Sequence, residues 1–213
     1  MAINDDLAAL VGHPQHFLEN NALIIYGAGG SGPADFVLQG TDRNGWRSCA
    51  GGGDRPVPLY VMYEARAFNM IGSGPVSAPL AVHYVSMRQY DTVTNQWEAT
   101  GVTHYLLPAA GGGDFMVTSK INGCTFGIGS DGGGNRLVTH MRPPKLPNNR
   151  ILLDQGVRAG YAGGRLDVSV MSTQDMNGTV VGKRNGGAWT FYAQRYQKLQ
   201  GDGTGFIERV NVY

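Results

Sequence analysis

Charge is scarce in this chain. Asp, Glu, Lys and Arg make up 15% of its 213 residues and balance to a net charge of +1, where an ordinary soluble domain carries roughly 25% charged residues. That near neutrality excludes the global electrostatic footprint of a nucleic-acid-binding protein. Long apolar runs are also missing. None approaches the roughly 18–20 residues of a membrane span, so no membrane partner is expected. The N-terminal Met-Ala-Ile-Asn-Asp-Asp is acidic, with no basic segment leading into an apolar one, and a cleaved Sec signal is not expected. Two cysteines, Cys49 and Cys124, are too few for a disulfide framework or a four-ligand zinc site. A single Cys49–Cys124 bridge stays open, with reduced thiols in a cytosol-type compartment as the favoured state.

Glycine, by contrast, is abundant. The 33 glycines are about twice the roughly 7% average, and without a collagen period they announce turns and loops rather than long helices. No internal repeat and no low-complexity linker divides the chain, which predicts one domain over 1–213 with a helical lead-in over 1–20. Asn4 is the predicted N-cap, Asp5 and Asp6 sit in the first turn, and Leu7, Leu10 and Val11 form the apolar stripe. Gly12 and Pro14 end that helix, and His16–Asn20 adds a further turn.

From Ala22 onward the texture is strand and turn. Strands are predicted at Ala22–Tyr26, Leu59–Tyr63, Ala81–Tyr90, Gly101–Leu107, Asp114–Gly129, Asn135–Met141, Leu166–Met171, Thr179–Gly182, Trp189–Tyr196 and Phe206–Val212. Pro and Gly clusters punctuate them. Short strands so spaced predict a mostly β, α+β fold, a sandwich or distorted barrel with peripheral helices.

The segment from Phe115 to His140 holds most of the chemistry. A β-hairpin centred near Gly132 makes Cys124 and His140 direct cross-strand partners, with Cβ atoms about 4.5–5.5 Å apart. The assignment depends on the loop, because a slip of one residue puts the two on opposite faces. Thr118 lies six residues before Cys124 and shares its face if no bulge intervenes, although Asn122-Gly123 is a natural place for one. An imidazolium beside a thiol draws it toward the nucleophilic thiolate. The thiolate attacks a carbonyl or carboxamide carbon, and the protonated histidine donates to the leaving group. Thr118, by hydroxyl or carbonyl, is the nearest group to orient the ring. Asn122 and Gly123, just ahead of the sulfur, are placed on the substrate and oxyanion side, where backbone can approach closely. This chemistry expects an ionised sulfur open to solvent. A buried, inert cysteine beside an unrelated histidine is the other reading of the same residues.

Gly123-Cys124, the Gly-Ser-Asp-Gly-Gly turn, Val138-Thr139-His140 and Pro143 resemble the active-site hairpin of the glutamine deamidase toxins typified by Burkholderia lethal factor and the cytotoxic necrotizing factors. The family motif Leu-Ser-Gly-Cys reads Ile121-Asn122-Gly123-Cys124 here. The family threonine falls on Thr118 and its histidine on His140, with a longer Cys-to-His loop. A weaker likeness lies in Val180-Val181-Gly182 and Trp189–Gln194. The resemblance implies a β-sandwich and a monomeric toxin or effector, secreted or otherwise delivered by a bacterium and acting in a host cytoplasm. It implies conversion of a host glutamine to glutamate with no cofactor. Its targets would be a translation-initiation helicase or a Rho-type GTPase. Transglutamination at the same site and a non-catalytic β-sandwich binding module are the alternatives.

Other signals are weaker. Gly27-Ala-Gly29-Gly30-Ser-Gly32 fits a dinucleotide-binding fingerprint after an apolar run, but Pro33–Gly40 leaves barely two helical turns, which favours a strand-to-loop turn. His13, His16, His83 and His104 lack a ligand spacing. His83 and His104 are expected to be packed or exposed, and Cys49 to be structural. Arg142, Lys145 and Arg150 follow His140 in a proline-rich loop, either solvated or rimming the site. Trp46, Trp97 and Trp189 are expected mainly in the core.

Overall fold

The structure, a computed structural model, describes residues 2–27, 30–48, 53–65, 74–88, 90–91, 96–97, 105–122, 124–130, 133–141, 165–171, 176–198 and 205–213. Two short helices lead the chain, α1 (Ile3–Gly12) and α2 (Pro14–Asn20). Helix α1 starts from Ala2 rather than Asn4. The Asn4 side-chain oxygen instead accepts the backbone N–H of Ala78 at 2.8 Å, and Asp5 accepts the N–H of Ala2 at 3.3 Å. A tertiary partner has outbid the local cap. Pro14 opens α2, where its missing N–H costs nothing. Neither helix, at 10 and 7 residues, is long enough to cross a membrane.

The strands that follow are β1 (Ala22–Tyr26), β2 (Gly32–Ser48), β3 (Asp54–Glu64), β4 (Leu80–Val85), β5 (Met87–Arg88), β6 (Tyr90–Asp91), β7 (Gln96–Trp97) and β8 (Tyr105–Leu107). The second half holds β9 (Phe115–Thr118), β10 (Ile121–Asn122), β11 (Thr125–Ser130), β12 (Arg136–Met141), β13 (Arg165–Met171), β14 (Met176–Asn185), β15 (Ala188–Lys198) and β16 (Gly205–Val212). The fold is mostly β, as the sequence predicted.

The longest strand, β2, was not predicted. Its stretch Gln39-Gly-Thr-Asp-Arg-Asn-Gly45 reads as a loop. The ladder to β3 carries through it by an irregularity between Gly40 and Asn44, and the Thr41 hydroxyl spans the gap by donating to Leu59 O at 2.9 Å.

The large sheet runs β1-β3-β2-β16-β15-β14-β9-β4, and β4 pairs again with β2. That last pairing closes six strands into a ring. Phe36, Leu38, Val82, Tyr84, Phe115, Val117 and Val181 make its core with Leu10, Phe17 and Leu18 of the helices. Buried Gln194 ties helix to sheet: its amide donates to Leu18 O and Asn21 O, both at 2.6 Å, and its oxygen accepts Leu23 N–H at 3.0 Å. The β14–β15 hairpin closes on Gly186 and Gly187 with φ of 56° and 87°, the left-handed pair that a two-residue type I′ turn requires.

The smaller sheet runs β13-β11-β12-β5, with β8 also on β12. Its inner face packs on the large sheet. Leu107, Phe126, Ile128 and Val138 of the small sheet meet Met116, Val180, Phe191 and Ala193 of the large one in a single cluster. Full burial of one such aliphatic or aromatic side chain contributes about 1.5–3 kcal/mol, and this shared layer holds the sheets together. Strands β6 and β7 pair with each other in a separate ribbon.

Candidate active site between the two sheets

Twice in this fold the chain steps from the large sheet to the small one at nearly the same place. Strand β4 belongs to the large sheet, Ser86 follows, and β5 pairs with β12 in the small sheet. Strand β10 pairs with β14 in the large sheet, residues 123 and 124 follow, and β11 belongs to the small sheet. Cys124 therefore stands at a crossover. Met87, just past the other crossover, pairs directly with His140.

The hairpin β11–β12 sets which side chains share a face. Its closing pair is Ser130 with Arg136, and His140 faces Phe126. The turn is centred one residue later than the sequence predicted, so Cys124 is not the direct partner of His140. It lies diagonal to it, two positions along. An offset of two preserves the face: Cys124, Phe126, Ile128, Val138 and His140 all point toward the inter-sheet layer. Cys124 packs in that layer with Phe126 and Ile128.

Thr118 reaches the same layer from the opposite sheet. Its hydroxyl is 2.8 Å from Val85 O and 2.7 Å from His140 Nδ1. A carbonyl oxygen can only accept, so the single hydroxyl hydrogen goes to Val85. The Thr118 oxygen then accepts from His140, which fixes the imidazole hydrogen on Nδ1 and leaves the lone pair on Nε2. Nε2 is fully buried and has no hydrogen-bond partner among the described residues. Leaving a buried acceptor unsatisfied costs about 1–3 kcal/mol. Burial also pushes the His140 pKa down to about 3, because a desolvated imidazole resists a charge.

Thr118 was expected to share a face of Cys124's own strand, but the chain changes sheets between them and Thr118 comes from the opposite side of the layer. The arrangement differs from the sequence expectation in two further respects. His140 rests neutral, so no imidazolium is present to draw a thiol toward thiolate. The sulfur does not face solvent either: Cys124 is 2% exposed, His140 1% and Thr118 0%. Cys124 carries a thiol rather than half of a disulfide. What the site offers is a neutral base with its lone pair held ready, on the same face as a thiol. Such a base removes a proton during attack rather than before it. No family model matches the chain, and no curated protein matches it.

Of the other predicted site residues, Asn122 pairs with Gly178-flanking Asn177 on β14, and Gly123 lies outside the described residues. Cys49, His104, Arg142, Lys145 and Arg150 also lie outside them. The glycine-rich Gly27–Gly32 segment leads into strand β2 rather than a helix, so the dinucleotide cradle has no helix N-terminus to use. Gly27 is needed there because an added Cβ would fall 2.3 Å from the Tyr84 ring. Trp189 is buried, as expected. Among the described residues no group of three or more His, Cys, Asp or Glu side chains is placed to hold a metal ion.

The residue that sequence reasoning missed is Val85, whose backbone carbonyl decides the His140 tautomer. Nothing in a sequence marks a backbone acceptor 33 positions from the hydroxyl that uses it.

Proposed function

We propose that residues 1–213 form one cysteine-dependent protein glutamine deamidase, with Cys124 as nucleophile, His140 as base and then acid, and Thr118 as the group that orients the ring. The carrying observation is the Thr118–Nδ1 hydrogen bond, which leaves Nε2 as a bare lone pair on the face that Cys124 shares. In this reading the Cys124 S–H proton passes to Nε2 as sulfur bonds to the carboxamide carbon. The tetrahedral oxyanion collapses, the C–N bond breaks, and Nε2–H supplies the proton that releases ammonia. Water then attacks the thioester, gives its proton to Nε2, and the acid leaves as the proton returns to sulfur. Asn122 and Gly123 are proposed at the oxyanion side. The resemblance to the deamidase toxins supports a bacterial effector acting on a host helicase or Rho-type GTPase, and an amine in place of water would give transglutamination.

Because the sulfur is enclosed, a glutamine side chain reaches it only when the packing above it opens. The same enclosure favours a second reading, a non-catalytic β-sandwich module in which Cys124 is a small core residue. Intact mass spectrometry of candidate host proteins separates the two. A gain of about one dalton per converted side chain is expected with wild type and none with Cys124→Ser. A mass gain that survives Cys124→Ser sinks the nucleophile assignment. Primary-amine incorporation in the same assay distinguishes transglutamination.

A further inference from the structure

The crossover after β4 leaves an orphan. Strands β2 and β4 pair from Gly32–Tyr84 to Phe36–Leu80, and the ladder stops there because the chain departs for the small sheet. The N–H of Ser86 thereby loses its strand partner. The Ser31 hydroxyl, from the glycine-rich segment just before β2, accepts it at 2.9 Å, and the two serine hydroxyls lie 2.9 Å apart.

The N–H of Ser86 and the carbonyl of Val85 are two ends of one peptide unit. That unit is planar and trans, so fixing the direction of its N–H fixes the direction of its C=O. The same carbonyl takes the Thr118 hydroxyl hydrogen and so obliges Thr118 to accept from His140 Nδ1. We propose that Ser31 is a positioning residue for His140, holding the Val85–Ser86 peptide plane and through it the Thr118 hydroxyl and the imidazole tautomer. As a role in catalysis this rests on the deamidase reading. As a statement about the imidazole it does not. It also gives the glycine-rich segment a use that has nothing to do with nucleotides.

Nitrogen NMR of protein labelled in its five histidines reads the ring directly. In wild type His140 shows the Nδ1–H tautomer with a slowly exchanging ring proton. In Ser31→Ala the plane is freed, the tautomers mix and the ring proton exchanges at least about tenfold faster. Ser31→Thr keeps the acceptor and restores the wild-type signal. Ser86→Ala loses only the hydroxyl contact and gives a smaller change than Ser31→Ala. The kcat for deamidation falls about threefold to tenfold in Ser31→Ala, with KM and the thermal midpoint near wild type. If wild type yields no deamidated product, the functional reading fails and the ring signals still decide the role of Ser31. Unchanged His140 nitrogen shifts and proton exchange in Ser31→Ala overturn the proposal, whatever the activity.

Discussion

His83 and His140 are both buried, both on strands and both at the interface between the sheets, yet they are built to opposite rules. His83 has two partners. Its Nε2–H donates to Gly113 O at 3.0 Å, and its Nδ1 accepts the Tyr105 hydroxyl at 2.7 Å. Around it Arg184 donates to Asp114 at 2.9 and 2.7 Å, to Pro108 O at 2.9 Å and to Gly112 O at 3.2 Å. The Trp189 indole N–H also donates to Pro108 O at 2.9 Å. This end of the sandwich meets the ordinary requirement that buried polar atoms be bonded. Two positions along the same strands, beside Val85 and Thr118, His140 has one hydrogen-bond partner among the described residues and keeps one nitrogen bare. Satisfied networks rigidify a fold. An unsatisfied lone pair is retained at a cost, and that cost is what a site prepared for proton transfer would show.

The largest expected effect comes from replacing each ring with an apolar side chain. His140→Leu removes the unsatisfied nitrogen and leaves Thr118 still donating to Val85, so stability in urea stays within about 1 kcal/mol of wild type or rises. Deamidation falls by a factor on the order of 100 to 10,000, the usual contribution of a general acid–base. His83→Leu strands the Tyr105 hydroxyl and the Gly113 carbonyl and costs about 2 kcal/mol with activity retained. Two variants with the same stability loss would erase the distinction between the rings. Next in size, Arg184→Met takes the guanidinium donors from Gly112 O and Asp114, leaves Pro108 O with the Trp189 N–H alone, and loses the guanidinium 5.6 Å over the Trp189 ring. A loss of about 3 kcal/mol is expected by urea denaturation, again without change in kcat. A loss below about 1 kcal/mol would mean that the network is ornament on a core that stands without it.

What was legible in the sequence followed local rules. Each of the ten predicted strand regions contains strand among its described residues, and the Asn185-Gly186-Gly187 turn closes a hairpin as its residues demand. The run Asp114–Gly129 was legible only as strand. That it is three pieces in two sheets depends on the partners of Ile121 and Thr125, on β14 and on β12 and β13, which lie far along the chain. The candidate site divides in the same way. Cys124 and His140 were readable as a same-face pair because period 2 tolerates a register shift of two, whereas Thr118, expected on the face of Cys124's own strand, meets them from the opposite sheet. The diagonal placement, the burial of the sulfur and the neutral charge of the ring were not, because each depends on a second sheet packing over the hairpin. β2 was hidden by its polar middle, which the Thr41 hydroxyl, the β3 ladder and the Gly74–Val76 segment hold in line.

The smallest effect is also the most direct on charge. Above the unfolded histidine pKa of about 6.5, His140 is neutral in both folded and unfolded chains, and its contribution to stability is fully present. As pH falls below that value the unfolded chain takes up a proton that the folded ring, with its pKa pushed down to about 3, refuses. Stability is then lost by up to about 1.4 kcal/mol per pH unit, or about 2 kcal/mol between pH 7 and pH 5, until the folded ring itself titrates. Burial lowers the His83 pKa too, so its effect has the same sign. Urea titrations at pH 7, 6 and 5 should therefore show wild type losing stability faster than His140→Leu. Parallel curves for the two proteins would mean that folded His140 binds its proton as readily as the unfolded chain does. In that case the ring is not sealed from water, and a neutral base kept waiting in the core is the wrong description of it.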